Sequence, residues 1–408
     1  MGTPVTDFDS RRRLLLDLFH AGLARVHGRR CVSSALEGVT PAAPVWVAAV
    51  GKAATAMALG AYDALGRAIE RTLIVTRDPE DLSGFAGGVV PEVWLGSHPV
   101  PDQRSLAAGE RLLAWVDELP PSVWPLFLVS GGASSLVEVP AAGATLEDLA
   151  GLTRLSFTSG MEIGELNARR AALSRIKGGR LAARLAGRAA RALFVSDVPH
   201  DDPRVIGSGL MGPAPDGADR VERTVVASVD HAVAAVAARA AQLGLRVHAP
   251  RERFAGSAER LAARFAHEVH LGAAQLCVWG GESTVELPPQ PGRGGRNQQL
   301  ALAAARLIAG RSELLLLAAG TDGSDGVTED AGALVDAESC ARIALAELDA
   351  DDCLAQADSS RALAASGDLV HTGPTGTNVG DLVIGLKLTA QEAEVLAQRH
   401  DGRRQRVL

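Results

Sequence analysis

The stretch Phe127-Leu128-Val129-Ser130-Gly131-Gly132-Ala133-Ser134-Ser135-Leu136 decides how the rest of the chain is interpreted. Its apolar start is typical of a buried strand, and the run then changes to small and hydroxylated residues. Parallel strands carry their ends to ligand crevices, and glycine lets backbone N–H groups approach an anion closely. The stretch therefore predicts a phosphate cradle containing Gly131, Gly132 and Ser134. A tight strand-to-helix turn that merely needs glycine is the alternative.

Length and composition point to a two-domain α/β protein. The chain has 408 residues, of which 47% are apolar, and this length exceeds one ordinary core. We expect a first domain over residues 1–240 and a second over 241–408. A net charge of −7 and 3% aromatic residues argue against nucleic acid as a partner, because neither a basic face nor stacking rings are evident.

The cysteine spacing and the hydropathy of the sequence predict where in the cell the protein is located. Cys31, Cys277, Cys340 and Cys353 show no zinc-ligand or disulfide spacing, which favours a reducing cytoplasm. No stretch reads as a membrane span, so no membrane partner is expected. A homodimer is left open.

Lysine is scarce, and its positions are informative. It occurs only at Lys52, Lys177 and Lys387, and the first two adjoin glycine. Lys52 follows the predicted strand Val45–Val50 and precedes an alanine-rich helix, a place where an anion is favoured and a compact cation would help to hold it. We predict Lys52 as a catalytic residue; a snorkelling surface lysine is the alternative.

Two aspartates are candidates for binding Mg²⁺. Asp197 comes directly after the predicted strand Ala192–Val195, and a strand-end carboxylate suits an ion held by one or two oxygens and several waters. Asp322 lies in the turn Gly320–Gly326, which lacks the spacing of a calcium loop. We predict both as metal ligands and Asp197 also as a catalytic residue; an Asp- and Pro-rich turn is the alternative after the strand.

Residues 162–181 are dense in functional groups. Arg169 or Arg170 could clamp a carboxylate with two parallel hydrogen bonds, and we predict Arg170 with Asn167 as substrate-binding residues. Lys177 beside Gly178 and Gly179 predicts a second phosphate contact. A solvated basic helix is the alternative, although such a helix has no use for paired glycines.

The second half repeats the pattern of a strand followed by glycine. We expect Gly281 and Glu282, after the strand ending at Trp279, to contact nucleotide or phosphate. Arg296 projects from a glycine-rich turn at a helix start, where it is predicted to act in catalysis on an anion. Thr377 and Asn378 lie in a loop suited to recognising substrate hydroxyls.

A series of motifs in one order resembles the glycerate 2-kinase family, which combines an N-terminal glycerate-kinase domain with a C-terminal MOFRL domain. The motifs include Gly51-Lys52-Ala53, His98-Pro99-Val100-Pro101-Asp102, Ser130-Gly131-Gly132, Ser196-Asp197-Val198, Gly294-Gly295-Arg296-Asn297-Gln298 and Gly373-Pro374-Thr375-Gly376-Thr377-Asn378. The resemblance implies two α/β domains, the first Rossmann-like with a mostly parallel sheet, and an active-site cleft between them. It further implies ATP- and Mg²⁺-dependent phosphorylation of the 2-hydroxyl of D-glycerate, with Lys52 and Asp197 near the reacting phosphate.

The chain departs from this family at three places near the expected site. Arg169-Arg170-Ala171-Ala172 lacks a lysine and a histidine that members usually carry, and the segments Asp197–Asp201 and Ser208–Leu210 also differ. The substrate is therefore expected to be D-glycerate or a closely related small hydroxy acid.

Two other function classes remain open. An NAD(P)H-dependent hydroxypyruvate reductase would need a strand-linked GxGxxG with a following acidic residue, and we find no convincing instance. A ligand-binding protein without catalysis is the second, because of the losses at Ala171 and Ala172.

Overall fold

A computed structural model describes residues 6–78, 81–85, 88–159, 163–389, 391–393 and 396. The chain divides into two compact units, which we call the Rossmann unit and the C-terminal unit. The Rossmann unit comprises Val26–Ser228 and Gly376–Val379; the C-terminal unit comprises Met1–Arg25, Val229–Thr375 and Gly380–Leu408. The domain ranges 1–240 and 241–408 stay a prediction, and the compact units differ from them at residues 1–25, 229–240 and 376–379.

Helices and strands alternate along the chain. The helices, numbered in chain order, are α1 Thr6–Val26, α2 Gly28–Ala35, α3 Ala54–Leu65, α4 Gln103–Asp117, α5 Ala133–Leu136, α6 Leu146–Ser159, α7 Ile163–Ala172, α8 Arg180–Ala183, α9 Val229–Gln242, α10 Ala258–Leu271, α11 Arg296–Ile308, α12 Ser339–Leu345, α13 Ala350–Ala355 and α14 Ser359–Ser366. The strands are β1 Val45–Val50, β2 Ile69–Thr76, β3 Glu92–Leu95, β4 Trp124–Val129, β5 Ala189–Val195, β6 Arg220–Ala227, β7 Val247–His248, β8 Phe254–Ser257, β9 Leu276–Thr284, β10 Leu314–Gly320, β11 Gly332–Asp336, β12 Leu369–Val370 and β13 Asp381–Lys387.

The Rossmann unit has a parallel sheet in the order β3-β2-β1-β4-β5-β6. This order reverses between β1 and β4, where open α/β sheets bind ligands beyond the carboxyl ends of their strands. Val50 is in register with Val129, so the turns that follow β1 and β4 begin side by side. The α/β class and the mostly parallel sheet expected of the first domain are confirmed.

Apolar packing on the sheet fixes this edge. Every residue of β1 is buried, as expected for a strand covered on both faces. Trp115 of α4 packs edge-on against Phe127 of β4 and tilts against Trp46 of β1, with ring centroids 5.9 and 5.7 Å apart. The strands that carry the predicted site are therefore held rigidly.

The C-terminal unit has a sheet in the order β12-β11-β10-β13-β9-β7, with β8 also paired to β9. Its pairs are antiparallel except those of β7 and β8 with β9. Phe265 of α10 stacks on Trp279 of β9 with centroids 4.4 Å apart. In the described residues no helix is both long and apolar enough to cross a membrane.

One local expectation is wrong. Gly280 and Gly281 do not begin a turn, because β9 continues through them to Thr284. Gly281 pairs with Asp381 on one side and Phe254 on the other, and a Cβ there would overlap the Phe254 carbonyl oxygen. These glycines allow close strand packing, a use that the sequence pattern does not distinguish from a turn.

Candidate active site

The turns after β1 and β4 hold each other in the Rossmann unit. The Lys52 amide donates to the Gly131 carbonyl at 2.9 Å, and the Ala53 amide donates to Ser130 Oγ at 3.0 Å. Gly51 has a φ of 131°, and a Cβ at this position would overlap Ser130. Glycine is therefore required where the two turns meet, and the backbone of Lys52 is fixed relative to the predicted cradle.

The cradle presents open backbone donors. Within the part of the chain that the structure describes, the amide N–H groups of Gly131 and Gly132 donate no hydrogen bond. Gly132 adopts a φ of 84°, and a Cβ built there would lie 3.2 Å from Lys52 Cγ and 3.1 Å from His98 Cδ2. The lysine side chain and the histidine ring thus flank the loop, as an anion site requires.

Asp197 borders the same loop. A Cβ on Gly131 would overlap both Asp197 Oδ2 and Asn378 Nδ2, so glycine is required for this carboxylate to approach. Asn378 Nδ2 donates to Asp197 Oδ2 at 3.0 Å. The structure brings together Lys52, Gly131, Gly132 and Asp197, while Asn378 holds the aspartate. The neighbouring Thr377 hydroxyl donates to the Val26 carbonyl at 2.7 Å and is buried.

The face of α7 that carries Asn167 and Arg170 offers donors with few partners. Asn167 is 8% exposed; its Oδ1 accepts from Ser208 Oγ at 2.8 Å, whereas its Nδ2 has no partner among the described residues. Arg170, three residues on, donates one hydrogen bond, to Thr153 Oγ1 at 3.4 Å. Burial lowers the pKa of the Arg170 guanidinium, and Glu138 partly opposes this effect. Orphaned donors of this kind fit a carboxylate.

Contacts join α7 to the cradle. Gly207, next to Ser208, lies against Ala133, since a Cβ on this glycine would be 3.1 Å from Ala133 Cβ. Ala133 directly follows the predicted phosphate-binding Gly132.

Lys177, Gly178 and Gly179 are occupied by protein partners. Lys177 is 2% exposed, and its Nζ donates to the Ser134 carbonyl and to Glu138 Oε2. The Gly178 and Gly179 amides donate to the carbonyls of Ser208 and Gly209 at 3.0 and 2.8 Å. These donors are therefore not available to a phosphate in this conformation, unlike those of Gly131 and Gly132.

The other predicted residues lie in the C-terminal unit. Arg296 forms ion pairs with Glu282 and with Asp381, the latter at 2.7 Å from Nε to Oδ2. Burial acts to lower the pKa of Arg296, but Asp381 and Glu282 outweigh it and the pKa is raised. Asp322 Oδ1 accepts from the Ser324 amide at 3.1 Å. The charge of Arg296 is thus balanced by two carboxylates.

The start of α11, expected to meet an external anion, is capped by Asp325. This buried carboxylate accepts from the amides of Asn297 and Gln298 at 3.1 and 2.8 Å. Burial raises its pKa to about 7, although the two amides act in the opposite direction. An internal carboxylate therefore occupies the helix terminus, as the charge of such a terminus favours.

Sequence reasoning missed two residues near the cradle. His98 has no role among the predicted site residues, although the motif His98–Asp102 is a signal for it. Glu138 gives no signal, because nothing in the pattern around it predicts its pairing with Lys177.

One carboxylate beside the cradle is of the type that binds Mg²⁺ in phosphate-transferring sites. The described residues contain no group of three His, Cys, Asp or Glu side chains placed to hold a metal. In phosphate-transferring sites, however, Mg²⁺ is commonly bound by one or two carboxylates together with water and the substrate's phosphates. The Asp197 carboxylate beside open amides matches that arrangement.

The chain is similar to known proteins over most of its length. Two family models match the chain: a domain of unknown function (DUF4147) over residues 14–241 and the MOFRL family over residues 275–381. The chain is 34% identical to the D-glycerate 2-kinase of Thermotoga maritima, over 93% of this chain and 99% of that protein. It is 31% identical to the glycerate 2-kinase of Pyrococcus horikoshii, over 84% and 87% of the two chains.

A further relative has a different name. It is a putative hydroxypyruvate reductase of Agrobacterium vitis, 34% identical over 91% of this chain and 94% of that protein. Among solved structures, the crystal structure of glycerate kinase from Thermotoga maritima superposes with a TM-score of 0.80 at 32% identity, covering 93% of this chain and 100% of that chain.

Proposed function

Because this chain belongs to the glycerate 2-kinase family, we propose that it transfers the terminal phosphoryl group of ATP to the 2-hydroxyl of D-glycerate or a closely related small hydroxy acid. The observation that carries the proposal is the meeting of Lys52, the open amides of Gly131 and Gly132, and Asp197 at the ends of β1, β4 and β5. Phosphoryl transfer needs in-line positioning and neutralisation of spread negative charge, and these groups provide both.

In this mechanism the open amides bind phosphate oxygens of the nucleotide. Lys52 places its ammonium against the transferring group, where a compact, movable charge can follow the phosphoryl group. Asp197, held by Asn378, would hold Mg²⁺, which would supply positive charge to offset that of the phosphates. Ser134 contributes to the same loop.

We assign the substrate carboxylate to Arg170 and Asn167. The under-bonded guanidinium and the orphaned Nδ2 supply donors from one face of α7. A carboxylate held there fixes the neighbouring 2-hydroxyl relative to the phosphate loop, so that binding energy is used for orientation. We propose that Asn378 orients Asp197 and does not bind a substrate hydroxyl. Thr377 is proposed to hold the chain segment around Val26.

The roles of seven predicted residues are revised or kept open. Lys177, Gly178 and Gly179 are proposed to shape the site rather than bind phosphate, since protein acceptors take their donors. Arg296, Asp322, Gly281 and Glu282 remain predicted catalytic, metal and nucleotide contacts of the C-terminal unit.

A substitution pair tests the carboxylate assignment. Arg170→Met should raise KM for the hydroxy acid about 10²-fold, because a charge-assisted hydrogen-bond pair is lost. Arg169→Met is the matched control: this neighbouring arginine is 52% exposed and pairs with Glu165. Its KM should stay within about twofold of wild type. Equal effects of both substitutions would contradict the assignment.

Hydroxypyruvate reduction is the second candidate function. The strand order found in dinucleotide-binding folds and the name of the Agrobacterium relatives favour it. Against it, the Lys52 and Ala53 amides of the β1 turn already bind Gly131 and Ser130, which leaves these donors unavailable to a pyrophosphate.

One assay separates the candidates. Purified protein is given Mg-ATP with a panel of small hydroxy acids, and ADP formation is followed; NADH oxidation with hydroxypyruvate is followed in parallel. We expect ADP formation only with hydroxy acids and no NADH oxidation. NADH oxidation alone would favour the reductase, and neither activity would favour a ligand-binding role. A cytoplasmic location stays a prediction, which cell fractionation tests. A homodimer also stays a prediction, which light scattering tests.

A further inference from the structure

A buried ion pair lies directly beneath the predicted phosphate cradle. Glu138 and Lys177 are 0% and 2% exposed, and Lys177 Nζ contacts Glu138 Oε2. Burying two charges is costly unless both are hydrogen-bonded, and here each group has at least one partner besides the other. Glu138 Oε1 accepts from Ser174 Oγ and from the Val139 amide, the latter at 3.0 Å.

The pair reaches the cradle through one contact. Lys177 Nζ also donates to the carbonyl oxygen of Ser134, in the short helix α5 that follows Gly131 and Gly132. Without this donor, the Ser134 carbonyl would lose the charged partner that fixes this part of the loop. Lys177 therefore acts on the position of the cradle from below, while its own ammonium stays out of solvent.

Glu138 connects the cradle to two further segments. Its backbone amide donates to the Ser105 carbonyl at 3.0 Å, and Ser105 Oγ accepts from the amides of Ser97 and Asp102 at 3.0 and 3.3 Å. These bonds close the loop that carries His98 against the cradle. On the other side, Ser174 Oγ accepts from the Lys177 amide at 3.2 Å and so fixes the turn before Gly178.

We propose that Glu138 and Lys177 are a positioning pair, which sets the geometry of the phosphate cradle through the Ser134 carbonyl without touching nucleotide or substrate. The inference rests on the proposed function for its kinetic consequence. A positioning pair differs from a purely structural ion pair in one respect. Its replacement should lower turnover even where the stability of the protein is unchanged.

The double variant Glu138→Gln/Lys177→Met tests this separation. The introduced glutamine keeps an acceptor for Ser174 and Val139, and the introduced methionine fills the volume of the lysine without a charge, so the ion pair and its tie to Ser134 are removed without leaving a buried charge. Replacing a buried pair by groups of similar volume is commonly neutral for stability, whereas breaking it is not. We expect the melting temperature to stay near that of wild type, and kcat to fall about 10²-fold with KM for ATP and hydroxy acid within about threefold.

Single variants and a surface control complete the design. Lys177→Met leaves Glu138 buried without its counter-charge, so it should melt at a lower temperature than the double variant yet show no higher kcat. Arg184→Met breaks an exposed pair with Asp117 in the same unit and should leave kcat unchanged. A folded double variant with wild-type kcat would overturn the proposal.

Hydrogen exchange separates this inference from the proposed function. Peptides covering residues 130–136 should exchange at least about tenfold faster in the double variant, whether or not any hydroxy acid is phosphorylated. If wild type shows no kinase activity but this exchange difference appears, the positioning pair stands and the kinase proposal fails. Unchanged exchange at 130–136 would overturn the positioning pair, even in an active kinase.

Discussion

At the scale of single residues, the central feature is a lysine fixed by its backbone beside open amides. Lys52 is held through its amide by Gly131, and its side chain flanks Gly132. In the proposed mechanism the Lys52 ammonium neutralises negative charge during phosphoryl transfer. Loss of a single charge has its largest effect on the rate at that step.

Lys52→Ala should reduce kcat by about 10²–10³-fold while leaving the melting temperature within about 2 °C of wild type. Lys387→Ala is the matched control, because Lys387 Nζ donates only to the carbonyls of His270 and Gly272 in the described chain. Near-normal turnover in Lys52→Ala, measured as ADP release, would remove this residue from the mechanism.

Asp325 gives the C-terminal unit a specific pH dependence. Its pKa is raised by burial from 3.8 to about 7, with Asp381 adding to the shift and Arg296 opposing it. The folded state therefore binds a proton that the unfolded state releases, so this contribution to stability is full below about pH 4 and is lost as pH rises through 7.

Asp325→Asn tests this sign, because the asparagine side chain keeps an acceptor for one of the two α11 amides and cannot ionise. The variant should gain stability relative to wild type as pH rises from 5 to 8, by about 3 kcal/mol. Denaturation midpoints of both proteins across this range give the difference. A difference independent of pH would contradict the raised pKa.

At the level of secondary-structure elements, the β4-to-α5 turn was predicted well from the sequence. Its apolar strand, its glycines and the neighbouring ends of β1 and β5 all follow from local pattern, and parallel strands then bring Lys52 and Asp197 together. The contact of Asn378 with Asp197 could not be predicted, because the two residues are 181 positions apart and no local pattern encodes their pairing.

The same limit explains Lys177 and Gly281. Both stand in glycine-rich contexts that resemble ligand turns, but burial against Glu138 and close strand packing decide their use. Those are tertiary properties. A glycine pattern reports that the backbone must approach something closely, and it does not report whether that neighbour is a ligand or protein.

Gly131→Ala tests the tight packing of this turn. A Cβ would overlap Asp197 and Asn378, so the carboxylate must move, and kcat should fall about 10²-fold or more. Gly151→Ala in α6 is the control, because a Cβ there meets no atom within 4 Å and should stabilise by about 0.5–1 kcal/mol. Equal activity of the two variants would show that the turn tolerates displacement.

At the level of the whole molecule, each compact unit is built from segments that are far apart in the sequence. Helix α1 belongs to the C-terminal unit, where Arg12 donates to the Leu334 carbonyl at 2.8 Å and pairs with Asp368 at 2.9 Å. Asp336 and Asp368 are both fully buried, and Arg342 is their second cation, at 2.8 and 2.7 Å. The N-terminal helix is thus a structural part of a unit whose other residues begin about 200 positions further along the chain, at Val229.

Arg12→Met should destabilise the C-terminal unit by about 3 kcal/mol, because two buried carboxylates would share one arginine. Arg361→Met, which alters a long contact of the exposed Arg361 with Asp358, should cost less than about 1 kcal/mol. Hydrogen exchange in urea, read on peptides from each unit, measures both effects. Equal loss of protection in the Rossmann unit would contradict the assignment of α1.

The most direct test of the central claim is the phosphorus NMR spectrum of the product formed from Mg-ATP and D-glycerate. Transfer to the 2-hydroxyl places phosphorus next to one carbon-bound hydrogen, so the account predicts a proton-coupled doublet that is absent with Lys52→Ala. A triplet from phosphorylation of the 3-hydroxyl, or no new phosphate ester at all from wild-type protein, would contradict it.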